Sequence, residues 1–442
     1  MEANRVHDAL RDHILVDGFD FVVDLDKSHG SYIRNKRDGS DILDLFSCFS
    51  SLPIGWNHPG LLEIEGKLGR VSVNNITNSD LYSVEMAEAV DTIGSIAKPS
   101  YMPHMFFIAG GALGVENCLK AAMDWKQHHR EAAGLAGSND KPQISIAHFE
   151  EAFHGRSGYT MSLTNTDPVK TDRYVKFDWP RISNPKINFP LDATESTRLD
   201  DAEAAALDQL RAAADATPDE IAGVIIEPIQ AEGGDNHFRD SFMRDLQRVT
   251  HEIGALFIVD EVQTGVGGTG KMWAHQHAGI QPDLLAFGKK MQVCGMMAGE
   301  RLCEFEDNVF STSSRINSTW GGNLVDYVRS AKCLEVIEDE DLVHHAEVVG
   351  AELKAGLNEM AAKHDFITNV RARGLFAAFT LPNRSLRDEF RKRALASGVL
   401  VLNSGFESIR LRPGLNISSD EINEALNVFE STASSVASKM VA

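Results

Sequence analysis

Short apolar runs alternate with segments of helical spacing through the middle of the chain. The runs are four or five residues long, which suits buried strands and is too short for helices. They occupy residues 105–109, 144–147, 223–227, 256–260 and 284–287. Segments such as 113–128 and 199–213 lie between them and are rich in helix-forming residues. This alternation predicts an α/β fold with a largely parallel, buried sheet that is covered by helices.

The pattern changes toward both ends of the chain. From residue 325 a helical stretch reaches about residue 363, and a last helix follows Ser418. The strands predicted between these helices are residues 374–381, 399–403 and 408–411. Because the first seventy residues also lack the alternation, we predict a smaller α+β domain assembled from both chain ends. The predicted boundaries are residues 1–75 and 325–442 for the small domain and 76–324 for the large domain.

Composition and charge exclude several classes of protein. A chain of 442 residues with 43% hydrophobic content is long enough for two globular domains. The formal net charge of -21 argues against binding to nucleic acid or an anionic membrane, whose phosphates would repel the protein. The sequence has no stretch long enough to cross a bilayer, no apolar N-terminal segment and no Cys-x-x-Cys pair. These features predict a cytoplasmic protein without a metal centre, in a reducing compartment.

A lysine and an aspartate stand where two of the apolar runs end. Asp260 closes the run 256–260, and Lys289 follows the run 284–287 after Gly288. Ligands gather beyond the carboxyl ends of parallel strands. Pyridoxal phosphate needs a Schiff-base amine from the protein and an acid that keeps its ring nitrogen protonated. A partly desolvated lysine has a lowered pKa and suits the first task. The pair predicts a pyridoxal-phosphate site, with Lys290 as the alternative nucleophile.

Glycines after the first apolar run predict a phosphate-binding turn. Gly110, Gly111 and Gly114 open a predicted helix, whose free N-terminal amides suit a phosphate group. A second glycine cluster, residues 265–270, matches the dinucleotide pattern Gly-x-Gly-x-x-Gly. Because this cluster neither follows its strand directly nor leads into a clear helical face, we do not predict a dinucleotide site. We expect it to form a flexible loop beside the cofactor.

Motifs spread over nearly the whole chain carry a family resemblance. They are residues 51–60, 110–117, 152–159 (AFHGRSGY), 227–235 (EPIQAEGGD), 259–265, 287–289, 318–323 and 410–415. So many motifs in one order are far more specific than a single match. The chain resembles the class III, or omega, aminotransferases of pyridoxal-phosphate fold type I. The resemblance implies a mostly parallel seven-stranded sheet in the large domain, a smaller α+β domain, and a homodimer with shared active sites.

The resemblance also implies cofactor-binding roles for particular residues. Lys289 would form the Schiff base and then move the reacting proton, while Asp260 would hold the pyridinium. Gln263 would hydrogen-bond to the ring hydroxyl, and Phe153 would stack on the ring face. The groups implied for the phosphate are the backbone amides of Gly111 and Ala112, and Thr319 of the neighbouring subunit.

Within the family, the resemblance is strongest to members that act on the ε-amino group of L-lysine. It implies that Arg156 binds the α-carboxylate of lysine and that Arg410 binds the carboxylate next to the reacting carbon of 2-oxoglutarate. Glu232 would act as a catalytic switch that neutralises Arg410 while lysine is bound. The residues implied to assist nearby are Glu227 and Asn317. Because residues 410–415 read RLRPGL and depart from the family pattern, Arg412 remains an alternative to Arg410.

The predicted reaction is transfer of the ε-amino group of L-lysine to 2-oxoglutarate. Its products would be L-glutamate and 2-aminoadipate 6-semialdehyde, which cyclises to piperideine-6-carboxylate. The nearest alternative is another omega-aminotransferase that acts on ornithine, 4-aminobutyrate or a diamine. An aminomutase on the same scaffold and a non-catalytic cofactor-binding protein are further alternatives. The last is disfavoured because a binding protein has no need of a lysine that moves protons.

Overall fold

The computed structural model describes residues 1–137 and 141–441. Its helices are α1 (Val6–Arg11), α2 (Ser47–Ser50), α3 (Pro59–Glu63), α4 (Glu65–Ser72), α5 (Val84–Ile96), α6 (Gly111–Ala132), α7 (Thr160–Leu163), α8 (Ala193–Ala216), α9 (Asp240–Glu252), α10 (Leu324–Asp339), α11 (Leu342–Lys363), α12 (Arg384–Ala396) and α13 (Ser419–Val441). Residues 138–140, in the predicted large domain (76–324), and residue 442, in the predicted C-terminal part of the small domain (325–442), lie outside the described residues.

The strands are β1 (Tyr32–Arg34), β2 (Asp41–Asp44), β3 (His104–Ile108), β4 (Ser145–Phe149), β5 (Arg181–Ile182), β6 (Ile221–Ile226), β7 (Ile229–Gln230), β8 (Asn236–His237), β9 (Leu256–Asp260), β10 (Leu284–Phe287), β11 (Cys294–Ala298), β12 (Thr368–Arg373), β13 (Phe376–Thr380), β14 (Val399–Leu400), β15 (Leu402–Ser404) and β16 (Ser408–Leu411). The five central apolar runs all form strands, and the bounds of β9 and β10 match the prediction.

A seven-stranded sheet forms the centre of the molecule, in the order β3-β11-β10-β9-β6-β4-β5. The pairs from β10 through β9, β6 and β4 to β5 are parallel, whereas β11 runs antiparallel to both β10 and β3. Every residue of β6, β9 and β10 is buried, because helices cover both faces of the sheet. The predicted α/β fold with a mostly parallel sheet is confirmed.

Neighbouring residues of β9 pack in different cores on the two faces of the sheet. Ile258 belongs to a cluster with Leu119 of α6. Phe257 and Val259 belong to another, which contains Leu246 of α9. Alternate side chains of a strand point to opposite faces, so a strand between two helical layers must be apolar at every position. This arrangement explains the unbroken apolar runs in the sequence.

The chain ends meet in one of two smaller sheets. Strand β14 pairs in parallel with β2, so a C-terminal strand joins an N-terminal hairpin. Strands β12, β13, β16 and β15 form a second, antiparallel sheet. The single strand predicted at 399–403 is therefore wrong: β14 and β15 belong to different sheets and are separated at Val401. The domain boundaries given above stay a prediction.

The long helical stretch predicted from residue 325 to about residue 363 is interrupted. Helix α10 ends at Asp339, and α11 begins at Leu342. Asp341 has a φ of 48°, in the left-handed region, and that conformation cannot continue a right-handed helix. The prediction of one helix was therefore wrong at this turn.

In the described part of the chain, no helix combines the length and apolar character needed to span a bilayer.

Three charged side chains lie at the carboxyl ends of adjacent parallel strands. Glu227 follows β6, Asp260 ends β9, and Lys289 follows β10 after one glycine. Since β6, β9 and β10 are neighbours in the sheet, these residues share one edge.

The glycine cluster at 265–270 is buried and does not line the cavity at that edge, which contradicts the expected flexible loop. It packs against Gly374 in the turn between β12 and β13.

Candidate active site

A cavity of about 470 Å³ opens at the carboxyl edge of the large sheet. It lies between the end of β9, the start of α6 and the loops that follow β4 and β10. Its lining residues are Ser51, Gly111, Ala112, Val115, Phe153, His154, Gly155, Arg156, Glu227, Asp260, Val262, Gln263, Lys289, Gln292 and Cys294. Most side chains predicted to bind the cofactor are thus brought together.

Lys289 extends into the cavity from a strained turn. Its φ of 48° lies in the left-handed region, which is uncommon for a residue with a long side chain. The Nζ atom lies 5.9 Å from the centre of the Phe49 ring. Burial and the positive charge of Arg410 lower the pKa of Lys289. The resulting larger neutral fraction suits a nucleophilic amine at neutral pH.

Lys290, the alternative nucleophile, occupies a different place. It is buried outside the cavity, and its Nζ donates a hydrogen bond of 2.8 Å to the backbone oxygen of Gln263. Burial, together with the nearby charge of Arg412, lowers the pKa of Lys290 to about 7. Its contacts hold the loop after β9, so the geometry favours Lys289 as the reactive amine.

Asp260 is held by two contacts at the end of β9. Its Oδ2 lies 2.8 Å from Nδ1 of His154, and its Oδ1 accepts a hydrogen bond of 3.0 Å from the backbone amide of Val262. The His154 side chain is fully buried. His154 stands inside the motif at 152–159, but nothing in the sequence marks it as a partner of Asp260. Only the fold brings that loop against β9.

Glu227 ties two loops of the site together. Its Oε1 accepts a hydrogen bond of 2.9 Å from the backbone amide of Phe153, and its Oε2 accepts one of 3.1 Å from Ala231. Burial raises the pKa of the Glu227 carboxyl well above its ordinary value, and the charge of Asp260 raises it further. These contacts orient the loop that carries the Phe153 ring. The geometry therefore favours a role for Glu227 in supporting these two loops.

The N-terminus of α6 forms the opposite wall of the cavity. Gly110 has a φ of 108°, a conformation that favours glycine, and the helix starts at Gly111. Among the described residues, no side chain caps this end and no acid lies in its first turn. The amides and the helix dipole are therefore available to an anion. A Cβ at Gly111 would lie 2.8 Å from Cγ1 of Val262, so the close approach needs glycine.

Arg410 and Arg412 are both buried, but they differ in their partners. Arg412 pairs with the buried carboxylate of Asp235, donates to the backbone oxygens of Leu411 and Ala377, and stacks on the Phe376 ring. Arg410 instead donates a hydrogen bond of 2.6 Å to Oε2 of Glu232. Among the described residues, its Nε has no hydrogen-bond partner. The geometry therefore favours Arg410 as the arginine that can accept a carboxylate.

Gln263 lies between the two arginines and the cavity. Its Oε1 is 3.3 Å from a nitrogen of Arg410 and 3.3 Å from Nε of Arg412. Both contacts occupy the amide oxygen, so the amide nitrogen is the group that can donate to a ligand in the cavity. A donor at this position suits the predicted hydrogen bond to a ring hydroxyl.

Glu232 is shared by two cations. Its Oε1 accepts from Nζ of Lys170 at 2.5 Å, while its Oε2 accepts from Arg410. Burial raises the pKa of Glu232, but Arg410 and Lys170 lower it by more, and the net pKa lies below its ordinary value. The carboxylate is therefore ionised at neutral pH. Lys170 lies outside the motifs, so nothing in the sequence marks it as a partner of Glu232.

Three of the predicted substrate and subunit contacts lie on the surface of the chain. Arg156 is exposed and lines the mouth of the cavity. Asn317 and Thr319 are also exposed, but neither lines this cavity. Their loop packs instead against Ser79, whose hydroxyl donates to the backbone oxygens of Ser318 and Thr319. Within one chain the structure does not bring these two residues to Lys289.

Comparison with known proteins identifies the family. The model of the class-III aminotransferases matches residues 16–433. The chain belongs to the class-III aminotransferases. As a member of this family it is a pyridoxal-phosphate-dependent transaminase, and the predicted enzyme class and cofactor are confirmed.

Individual class-III aminotransferases are similar over almost the entire chain. The chain is 46% identical over 442 residues to an L-lysine-epsilon aminotransferase of Streptomyces clavuligerus, covering 99% of this chain and 96% of that protein. It is 33% identical over 429 residues to the mitochondrial 4-aminobutyrate aminotransferase of Homo sapiens, covering 92% and 84%. A solved structure of the M. tuberculosis lysine aminotransferase in the internal aldimine form has a TM-score of 0.95 and 45% identity, covering 99% and 100%.

The site of this class-III aminotransferase has the groups that pyridoxal phosphate requires. The uncapped amides at the start of α6 suit the phosphate, and the buried carboxylate of Asp260 suits a protonated ring nitrogen. Lys289 supplies an amine with a lowered pKa. A Cβ at Gly155 would lie 2.5 Å from that of Ala112, so the loop carrying Phe153 approaches the helix closely. The residues present therefore fit the cofactor.

Proposed function

We propose that the enzyme transfers the ε-amino group of L-lysine to 2-oxoglutarate. The products are L-glutamate and 2-aminoadipate 6-semialdehyde, which cyclises to piperideine-6-carboxylate. The relatives named for lysine are 45–47% identical, whereas those named for 4-aminobutyrate are 32–33% identical. This difference supports lysine as the donor.

The observation that carries the proposal of a donor that reacts at a terminal amine, as lysine does, is the ion pair between Glu232 and Arg410 beside the reactive amine. Lysine presents an uncharged carbon chain next to its ε-carbon, so no carboxylate of the donor reaches Arg410. A buried arginine without a partner is costly, and Glu232 neutralises it in that state. 2-Oxoglutarate carries a carboxylate next to its reacting carbon, and this group takes the place of Glu232. Arg156 at the cavity mouth binds the α-carboxylate of lysine.

The proposed roles at the reacting end follow from the geometry of the chain. When bound, pyridoxal phosphate supplies an electron sink that stabilises charge on the carbon bearing the amine. Nζ of Lys289 holds the cofactor and then removes the proton from that carbon of the donor. Asp260, oriented by His154, keeps the ring nitrogen protonated. Gln263 donates to the ring hydroxyl, and Phe153 covers the ring face. Gly111 and Ala112 donate backbone amides to the phosphate.

The proposal includes a cytoplasmic homodimer. Thr319 and Asn317 lie on an exposed loop that does not reach the cavity of its own chain. A second subunit that presents this loop would bring Thr319 to the phosphate and Asn317 to the substrate. Sedimentation or light scattering tests the dimer. A T319A variant is expected to bind the cofactor more weakly and to remain dimeric.

Steady-state assays of the purified enzyme test the reaction. Lysine and 2-oxoglutarate are expected to give glutamate and the cyclised semialdehyde in equal amounts. Ornithine, 4-aminobutyrate and diamines serve as competing donors, and kcat/KM for lysine is expected to exceed theirs. A higher kcat/KM for one of these donors would identify a different omega-aminotransferase. Turnover of lysine without 2-oxoglutarate would identify an aminomutase.

A further inference from the structure

Lys170 is a charged group at the site that the proposed reaction does not yet use. It ends a short turn, Pro168–Lys170, beyond the loop that carries Phe153. Its Nζ lies 2.5 Å from Oε1 of Glu232 and 5.5 Å from the centre of the Phe153 ring. It therefore contacts both the carboxylate that closes Arg410 and the ring proposed to cover the cofactor.

We propose that Lys170 is a positioning residue for the acceptor half of the reaction. It holds the Glu232 carboxylate when that group leaves Arg410 to admit the carboxylate of 2-oxoglutarate. The inference rests on the proposed function, in which Arg410 must be paired with Glu232 in one half-reaction and free in the other.

The two cations around Glu232 differ in how far they can move. The Arg410 side chain is 3% exposed and is anchored on β16, within a sheet. The Lys170 side chain is 24% exposed, on a surface turn. Glu232 is itself 25% exposed and can swing toward solvent. When it does so, Arg410 stays behind, but Lys170 can follow because its long flexible side chain is not enclosed.

Lys170 reduces the cost of opening the ion pair. A carboxylate that leaves a buried arginine loses a strong partner. The free-energy cost of this loss is larger where less water is available to replace the arginine. With Lys170 bound to the other oxygen, the carboxylate keeps one charged hydrogen bond throughout. Without Lys170, Arg410 is the only cation paired with Glu232 among the residues that the structure describes, and the closed state becomes harder to leave. The acceptor must then overcome a stronger Glu232–Arg410 pair.

The charge balance of the cluster leads to the same result. Lys170, Arg410 and Glu232 together carry one net positive charge, and the incoming carboxylate neutralises it. If Lys170 is replaced by a neutral residue, the cluster is already neutral. An incoming carboxylate then adds an uncompensated negative charge in a partly buried site. Lys170 therefore favours the acceptor and has little effect on the ε-amino end of the donor.

Binding of 2-oxoglutarate to the cofactor-loaded enzyme tests the proposal directly. The enzyme is loaded with pyridoxal phosphate, which carries no amino group to transfer, so without an amino donor no turnover takes place and calorimetry gives an equilibrium Kd. K170M is expected to raise this Kd about tenfold. Glu232 is partly exposed, so the energy of its ion pairs lies between the small values of surface pairs and the large values of buried pairs. K170R retains the charge and is expected to stay within about threefold of the unaltered enzyme. In K170M, kcat/KM for lysine is expected to change less than about twofold, because the closed state keeps its Glu232–Arg410 pair.

A double variant separates positioning from direct binding. In an E232Q background, K170M is expected to change the Kd for 2-oxoglutarate less than about twofold, because Lys170 acts through the Glu232 charge. A tenfold change in that background would overturn the proposal and make Lys170 a direct ligand of the acceptor. Equal losses in both half-reactions of K170M would also overturn it.

K176M is the matched control, since Lys176 lies in the same segment and pairs with Asp172 on the surface. It is expected to leave the Kd unchanged, and a tenfold rise in K176M would overturn the assignment to Lys170. Failure of the unaltered enzyme to bind 2-oxoglutarate would contradict the proposed acceptor itself. Binding that does not depend on Lys170 would contradict only the positioning role.

Discussion

The reacting end and the substrate end of the site hold their charges in different ways. At the reacting end, the His154 side chain is 0% exposed and that of Asp260 6%, and the pair is joined to the backbone amide of Val262. At the substrate end, Glu232 and Lys170 are about a quarter exposed and pair through side chains alone. The first pair is fixed by the sheet, whereas in the proposed exchange Glu232 leaves Arg410 and keeps its contact with Lys170.

This difference corresponds to what each end must do in a transamination. The proton transfer has the same geometry in both half-reactions, so Asp260 and Lys289 gain from rigid support at the strand ends. The substrates differ in where their carboxylates lie, so the charges that recognise them must rearrange. A fully buried ion pair would resist that exchange. The predictions below test the two ends separately.

The largest expected effect is at the reacting end. K289A is expected to lower kcat/KM for lysine by about 10⁴-fold, because both the Schiff base and the proton transfer depend on this amine. The absorbance of the protein-bound Schiff base is expected to be lost in K289A and retained in K290M. Retention of this absorbance in K289A, or its loss in K290M, would reverse the assignment of the two lysines.

Replacing the two arginines one at a time should give different defects, one in acceptor binding and one in stability. R410Q is expected to raise the KM for 2-oxoglutarate about 100-fold, because charge-assisted hydrogen bonds to the acceptor carboxylate are lost. R412M is expected to lower the free energy of unfolding by about 3–5 kcal/mol, because Asp235 keeps a buried charge without its partner. Steady-state kinetics and thermal melting measure the two effects. A selective acceptor defect in R412M with a normal Tm would assign the carboxylate to Arg412.

A smaller effect is expected when the exchangeable carboxylate is removed. E232Q leaves Arg410 without an anionic partner while lysine is bound, so kcat/KM for lysine is expected to fall about tenfold. The value for 2-oxoglutarate is expected to be retained or to rise, because no ion pair has to open. E88Q removes an acid that pairs with Lys67 on the surface and serves as the control. Equal losses for both substrates of E232Q would refute the exchange.

The smallest effect links the two ends through electrostatics. Burial, followed by the charge of Arg410, lowers the pKa of Lys289. Removing that charge in R410Q raises the pKa, so the neutral amine forms only at higher pH. The rate at which apoenzyme incorporates pyridoxal phosphate should therefore show an acid limb displaced to higher pH in R410Q. K176M should keep the limb of the unaltered enzyme, and an unshifted limb in R410Q would contradict the coupling.

Much of the site could be predicted because local sequence carries it. The runs ending at Asp260 and before Lys289 are apolar at every position, a pattern that buried parallel strands require. Adjacent parallel strands place their carboxyl ends at one edge, so the two residues were expected to meet. The glycines at the start of α6 marked the anion-binding end of a helix in the same way. The family resemblance added the roles of Gln263 and Phe153, which remain proposals.

Other features had no local signal. The break between α10 and α11 depends on a single residue, Asp341, with a left-handed conformation. The glycine cluster at 265–270 is buried because Gly374 packs against it from another part of the chain. Both errors concern contacts that are distant in sequence or backbone conformations that ordinary residues adopt rarely.

By itself the sequence determined the α/β architecture, the lysine–aspartate pair and hence the cofactor chemistry, since strand periodicity and the residues ending each strand are local properties. Only the tertiary structure decided which of Arg410 and Arg412 is free to change partners, because both have the same residue type and similar burial. Their roles depend on Asp235 and Glu232, which lie more than 170 residues away in the chain. It also placed Lys170 beside Glu232, since an ion pair forms between groups that folding brings together.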